Sequence, residues 1–339
     1  MLKALTCFAS AGLLVAADFP STEIRNSEIR AKIYLPDAKA GFYRSTRFDW
    51  SGVVGSLEYK SHNYYGPWFK KITDVYDFGY DGADVISAPF TAMIGPGEEY
   101  QTDGKALGWD EAKPGGTFIK IGVGVLRRPD ESNYDHSKPY EIVDGGKWTV
   151  KKNRDSVEFT QELRDPSSQY AYVYKKVIRL TSGKPQMVIE HALKNTGTKR
   201  IVTNMYNHNF LTLDNQPPGP DFVITVPFEL KPRRAPNQAL GEIRGNQIRY
   251  VKILENQDRM TTSATGFSEN AKDYDIRVEN RKAGVGVRAT GDRPLSNLNL
   301  WSIKTVLAVE PFITMSIEPG SQFDWKITYD YYTLPSNAN

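Results

Sequence analysis

Along most of the chain, apolar and polar residues alternate with a period of two, the pattern of strands that bury one face. In Met187–Lys194, Met187, Ile189, His191 and Leu193 point one way while Glu190 and Lys194 point the other. Tyr170–Leu180 reads as a longer strand between the breakers Asp165-Pro166 and Ser182-Gly183. The same pattern predicts strands at 30–35, 52–60, 117–126, 147–152, 156–163, 200–206, 222–230, 247–254, 274–279, 283–289, 305–318 and 322–333. No window of twelve or more residues carries a convincing helical period, so helices are expected to be short. More than a dozen strands separated by turn signals predict an all-β fold, a sandwich of large antiparallel sheets. No composition break, repeat or low-complexity linker divides residues 18–339, which predicts one body, and the Pro/Gly-rich Asp214–Asp221 reads as a loop.

Composition sharpens this in two places. Among 339 residues, 40% are hydrophobic and 24% charged, which excludes collagen-like, disordered and polytopic membrane classes. Lys and Arg total 43 against 40 Asp and Glu, and the charges are scattered, so nucleic acid is not an expected partner and a neutral small molecule suits the balance better than a polyanion. The only cysteine, Cys7, lies in a segment with Lys3 at its start, an apolar run from Ala4 to Ala17, and small residues Val15-Ala16-Ala17 before Asp18. That is the pattern of a signal peptide at residues 1–17, too short to span a bilayer, so the expected location is periplasmic or secreted. Its removal leaves no cysteine, no integral membrane segment, and no disulfide or thiol chemistry.

Two segments concentrate candidate chemistry. In Asn195–Leu211 a turn and a strand lead to His208, with Asn204, Asn207 and Asn209 beside it as hydrogen-bonding groups suited to sugar hydroxyls, or alternatively as residues satisfying loop carbonyls. In Val306–Tyr332, Glu310 ends an apolar run and precedes Pro311, a setting in which a partly desolvated carboxylate gains a raised pKa and can act as a general base, or else pairs with a cation. Glu318, before Pro319-Gly320, reads as a solvated turn residue.

Together these segments resemble the aldose 1-epimerase (galactose mutarotase-like) superfamily. The resemblance rests on Asn195-Thr196-Gly197, His208 followed by Phe210-Leu211, Glu310 within Ala308-Val309-Glu310-Pro311-Phe312, Pro319-Gly320, and Thr328-Tyr329. It implies a β-supersandwich, no metal and no organic cofactor, and a small-molecule sugar as partner. It further implies that Glu310 takes the proton of the anomeric hydroxyl while protonated His208 donates to the ring oxygen. A second, substrate-holding His that such proteins carry in a His-Gly context in their first half has no counterpart in Ala106–Leu126. Arg47, His62 and Lys120 are the candidates to take over substrate binding, alongside Asn207. A non-catalytic carbohydrate-binding protein of the same fold is the rival class, and an accessory domain of a polysaccharide lyase or hydrolase a third.

Other signals read as structural. Gly122-Val123-Gly124 lies within an expected strand and not at a strand-to-helix turn, which argues against a phosphate cradle. His62, His136, His191 and His208 have no metal-ligand spacing, and His191, on an apolar face, reads as a hydrogen-bonded core histidine. Lys231–Arg234 reads as a solvated basic loop, and Gly95–Tyr100 as a turn carrying two carboxylates.

Overall fold

The computed structural model describes residues 19–335, so the signal peptide expected at residues 1–17, with Cys7, lies outside the described residues. Strands dominate, and the helical segments among the described residues are two three-residue 3-10 turns, Leu213–Asn215 and Ala271–Asp273. A ten-stranded antiparallel sheet runs in the spatial order Lys147–Lys152, Ser156–Asp165, Tyr170–Leu180, Gln186–Asn195, Gln322–Thr333, Val285–Gly291, Asp275–Asn280, Phe222–Thr225, Gln247–Tyr250, Gly241–Arg244. A six-stranded antiparallel sheet follows the order Lys231–Arg234, Arg259–Thr265, Asn297–Ile303, Val306–Ile317, Ile201–Leu211, Gly95–Gln101. Three smaller sheets account for the remaining strands among the described residues.

Strict alternation lets the six-stranded sheet serve two environments. One face carries Leu211 and Val309 against Ile276, Val278, Val287 and Ala289 of the ten-stranded sheet. Tyr329 crosses the same interface to donate a 2.8 Å hydrogen bond to Asn209. Each such Leu, Ile or Val side chain, once buried, contributes about 1.5–3 kcal/mol. The opposite face carries Tyr206, His208 and Phe210 and meets a second apolar cluster that includes Phe48, Trp68 and Phe118.

Three local expectations are corrected. Residues 117–126 form two strands, Thr117–Lys120 and Gly124–Arg127, because the chain reverses at Gly122, whose φ is +78° and whose absent Cβ would lie 2.6 Å from the Asp49 carboxylate. Gly95–Tyr100 belongs to a strand and not a turn, with Pro96 tolerated because that strand is the edge of its sheet. Lys231–Arg234 is likewise a strand, at the opposite edge.

The Gly95–Gln101 strand buries two consecutive carboxylates on its two faces. Glu98 enters the inter-sheet core, where its oxygens lie 3.0 Å from Lys176 Nζ and 2.8 Å from His191 Nε2 and accept from Asn207 at 3.1 Å. Burial alone would raise its pKa, but His191 and Lys176 outweigh burial and hold it at about 2. Asp49 shares Lys176 at 3.3 Å and accepts from Ser51, and burial pushes its pKa up. His191 stacks on Trp325 with centroids 4.4 Å apart, so it is the hydrogen-bonded core histidine its strand pattern indicates. One ammonium thus compensates two carboxylates in the core. Lys176→Met is expected to cost about 3–5 kcal/mol in urea unfolding, since it leaves buried charge uncompensated. A loss below about 1 kcal/mol would contradict that role.

Candidate active site

The outward face of the six-stranded sheet floors a cleft of about 340 Å³ whose lining includes Arg47, Asp77, His136, His208, Trp301 and Glu310. Register explains how its two central residues meet. The ladder between the Ile201–Leu211 and Val306–Ile317 strands pairs Tyr206 with Phe312 and Asn209 with Val309, which sets His208 opposite Glu310. Pro311 has no N–H to give to that ladder, and the pairing is interrupted at this point. Residues opposite each other on neighbouring strands have Cβ atoms about 5 Å apart. His208 Nε2 and Glu310 Oε1 accordingly stand 3.3 Å apart, with side chains 6% and 12% exposed.

Their surroundings set their protonation. His208 stacks on Phe210 with centroids 3.9 Å apart and meets Phe48 edge-on, and its Nδ1 has no hydrogen-bond partner among the described residues. Burial, followed by the nearby Arg47 charge, pushes the imidazole pKa well below 6.5, so the ring is neutral. Burial raises the Glu310 carboxyl from 4.5 to about 7, against the opposing effects of a 3.2 Å hydrogen bond from Asn299 and of Arg47. Up to about pH 7, therefore, the carboxyl of Glu310 carries a proton while the neighbouring His208 ring stays neutral.

Arg47 anchors the cleft wall. Its Nε lies 2.9 Å from Glu99, its Nη1 3.8 Å from Asp77, and its Nη2 donates to Tyr206 at 3.3 Å. Glu99 also receives Lys120 at 2.7 Å, Gln101 at 3.2 Å and the Tyr206 hydroxyl. Burial pushes the Glu99 pKa up, but Lys120 and Arg47 overcome it and hold the carboxylate ionised.

The structure brings together three of the six residues singled out from the sequence: Arg47, His208 and Glu310. Lys120 is 1% exposed and spent on Glu99, so it acts on the cleft through Arg47's counter-ion and not as a free cation. Asn207, one residue from His208, necessarily faces the other way and binds Glu98 in the core, and Asn209 does likewise toward Tyr329. His62 pairs with Asp214 at 2.7 Å, away from the cleft lining. The residues missed are His136, Asp77, Thr91, Arg234, Arg259, Thr261, Asn299 and Trp301. Asn297–Ile303 alternates legibly, with Asn299 and Trp301 on one face and Leu298 and Leu300 on the other. His136 sits in an irregular segment that no period marks; burial and then Arg47 lower its pKa. It supplies the cleft with the second imidazole that Ala106–Leu126 lacks.

No protein-family model matches the chain, and no curated protein sequence does. Solved structures do. A galactose mutarotase-like protein from Lactobacillus casei superposes with a TM-score of 0.53 at 14% identity, covering 92% of this chain and 100% of that one. The fold is galactose mutarotase-like. An aldose epimerase homologue from C. elegans gives a TM-score of 0.52 at 14% identity over 93% of this chain and 99% of its own. A galactose mutarotase-like protein from Clostridium acetobutylicum gives 0.53 at 10% over 92% and 95%. On this mutarotase-like scaffold, the described residues hold no group of three or more His, Cys, Asp or Glu placed to bind a metal ion.

The raised pKa of Glu310 has a stability consequence. Between pH 4.5 and about 7 the native carboxyl keeps a proton that the unfolded chain has lost, so its stabilising contribution is present at low pH and lost as pH rises through about 7. Glu310→Gln, which cannot ionise, is expected to stabilise the protein at pH 8 relative to pH 4 by up to about 3 kcal/mol. Urea unfolding of both proteins at the two pH values measures this, and a pH-independent difference would contradict a raised carboxyl.

Proposed function

We propose that the protein is a sugar isomerase of the aldose 1-epimerase type, exchanging the anomers of an aldose by acid/base ring opening. The observation that carries this reading is the 3.3 Å contact of His208 with a Glu310 held at about pH 7, both at the floor of a polar cleft. General acid/base work is most effective when the groups titrate near the operating pH. The reactive form is the tautomer of the singly protonated pair in which the proton has moved from Glu310 to His208. Glu310 then accepts the proton of the anomeric hydroxyl as His208 protonates the ring oxygen, and the C1–O5 bond breaks. Rotation of the C1 aldehyde and the reverse transfers close the ring to the other anomer and restore the pair.

Other lining groups fit a sugar. Trp301 offers an aromatic surface tilted 59° from the His208 ring for stacking on a pyranose. His136, neutral beside Arg47, and Asp77 supply donors and acceptors for hydroxyls. Arg47 places a fixed positive charge near oxygen atoms that gain negative charge as the ring opens. The same reading takes the protein as exported, on the pattern of residues 1–17, with residues 18–339 as one body.

NMR exchange spectroscopy on freshly dissolved anomers of glucose, galactose and uronates tests the proposal. Native protein is expected to accelerate interconversion of at least one sugar, with Glu310→Gln and His208→Asn each losing about 10²-fold or more. Binding without acceleration would replace the enzyme by a carbohydrate-binding protein, and neither binding nor acceleration would defeat the sugar reading. Because the pair must retain one proton, kcat/KM is expected to fall on the alkaline side with a midpoint about pH 7. A profile that stays level from pH 6 to 9 would contradict a Glu310 carboxyl raised to about 7.

A further inference from the structure

Arginines outnumber carboxylates in the cleft: Arg47, Arg234 and Arg259 against Asp77 and Glu310. Arg47 is committed to Glu99, Asp77 and Tyr206. Arg234 and Arg259 are different, since neither side chain has a hydrogen-bond or ion-pair partner among the described residues, whereas the adjacent Arg233 donates to Asn297. Both lie on the catalytic face of the sheet. Glu310 pairs with Asn299, Asn299 with Ser263, and Ser263 with Arg234, so Arg234 shares one cross-sheet row with Glu310. The row spans three strand spacings, about 14 Å between backbones. One pyranose ring and one extended guanidinium side chain together bridge that gap. Arg259 lies on the same face as Thr261, two residues along its strand, and reaches the same cleft.

A guanidinium presents a planar fork of donors that matches a carboxylate or phosphate bidentately. Resting on the sugar-isomerase reading above, we propose that the natural ligand is an acidic sugar, whose oxyanion, a carboxylate or a phosphate at the end remote from the anomeric carbon, is held by Arg234 and Arg259. The near-balanced charge of the whole chain conceals this local excess. A substrate anchored there lies along the Glu310 row, with its anomeric end at His208 and Glu310 and its ring passing Asn299 and Trp301.

The test compares glucose, glucuronate and glucose 6-phosphate with the native protein and with Arg234→Gln, Arg259→Gln and Arg233→Gln, by anomer exchange and by calorimetric titration. The expected result is a kcat/KM for one acidic sugar at least about tenfold above that for glucose. That preference should shrink by about tenfold in Arg234→Gln and Arg259→Gln, persist in Arg233→Gln, and weaken with added salt. Preference for glucuronate identifies a carboxylate ligand, and preference for glucose 6-phosphate a phosphate. If the acidic and neutral sugars are exchanged equally, or if Arg233→Gln acts like the other two, the anion site is overturned while the isomerase reading stands. If no sugar is exchanged, the isomerase reading fails, and calorimetry judges the anion site by itself: arginine-dependent binding of glucuronate or glucose 6-phosphate supports it, and no binding overturns it.

Discussion

Two consecutive buried carboxylates, Glu98 and Glu99, hold the architecture of this protein together. A strand sends adjacent side chains to opposite faces, so one edge strand anchors both the core and the cleft. Glu98 gathers Lys176, His191 and Asn207 between the sheets. Glu99 gathers Arg47, Lys120, Tyr206 and Gln101 beside His208 and Glu310. Buried charges of this kind persist only with full compensation, and each carboxylate is met by cations and neutral donors together. The position of Arg47, and through it the field at His208 and Glu310, follows from that requirement.

The same alternation settles which of the neighbouring polar residues reach the cleft. In Tyr206-Asn207-His208-Asn209-Phe210, the asparagines turn to Glu98 and Tyr329 while the aromatic rings and the imidazole face the cleft. His208 and Glu310 are then neighbours by register alone, from strands distant in sequence. Their low exposure disfavours the charged form of each, so the carboxyl holds its proton up to about pH 7 beside a neutral imidazole. Holding the Glu310 carboxyl protonated up to about pH 7 costs stability above that pH, a cost that the proposed proton transfer would explain.

Much of the fold was legible because alternation is a local signal. The long strands at Tyr170–Leu180, Gln186–Asn195, Val306–Ile317 and Gln322–Thr333 stand where the pattern set them. Gly95–Gln101 was not legible, since its glycines, proline and paired glutamates imitate a turn, and only Arg47, Lys120, Lys176 and His191, arriving from elsewhere in the chain, make their burial possible. The catalytic candidates could be named from short motifs and Arg47 was singled out with them, yet much of the remaining cleft lining could not be. His136 belongs to an irregular segment, and Arg234 joins the cleft through sheet order, which no single strand encodes. Lys120 and Asn207 show the reverse error, polar residues near a site in sequence that the fold spends on its interior.

Glu310 carries a proton beside a neutral His208 up to about pH 7. Infrared difference spectroscopy across a pH titration of native protein and Glu310→Gln reads that proton directly. Native protein is expected to show a protonated-carboxyl stretch that disappears with a midpoint about pH 7 and is missing from the variant. A native spectrum in which every such band has gone by about pH 5, as for ordinary carboxyls, would contradict it.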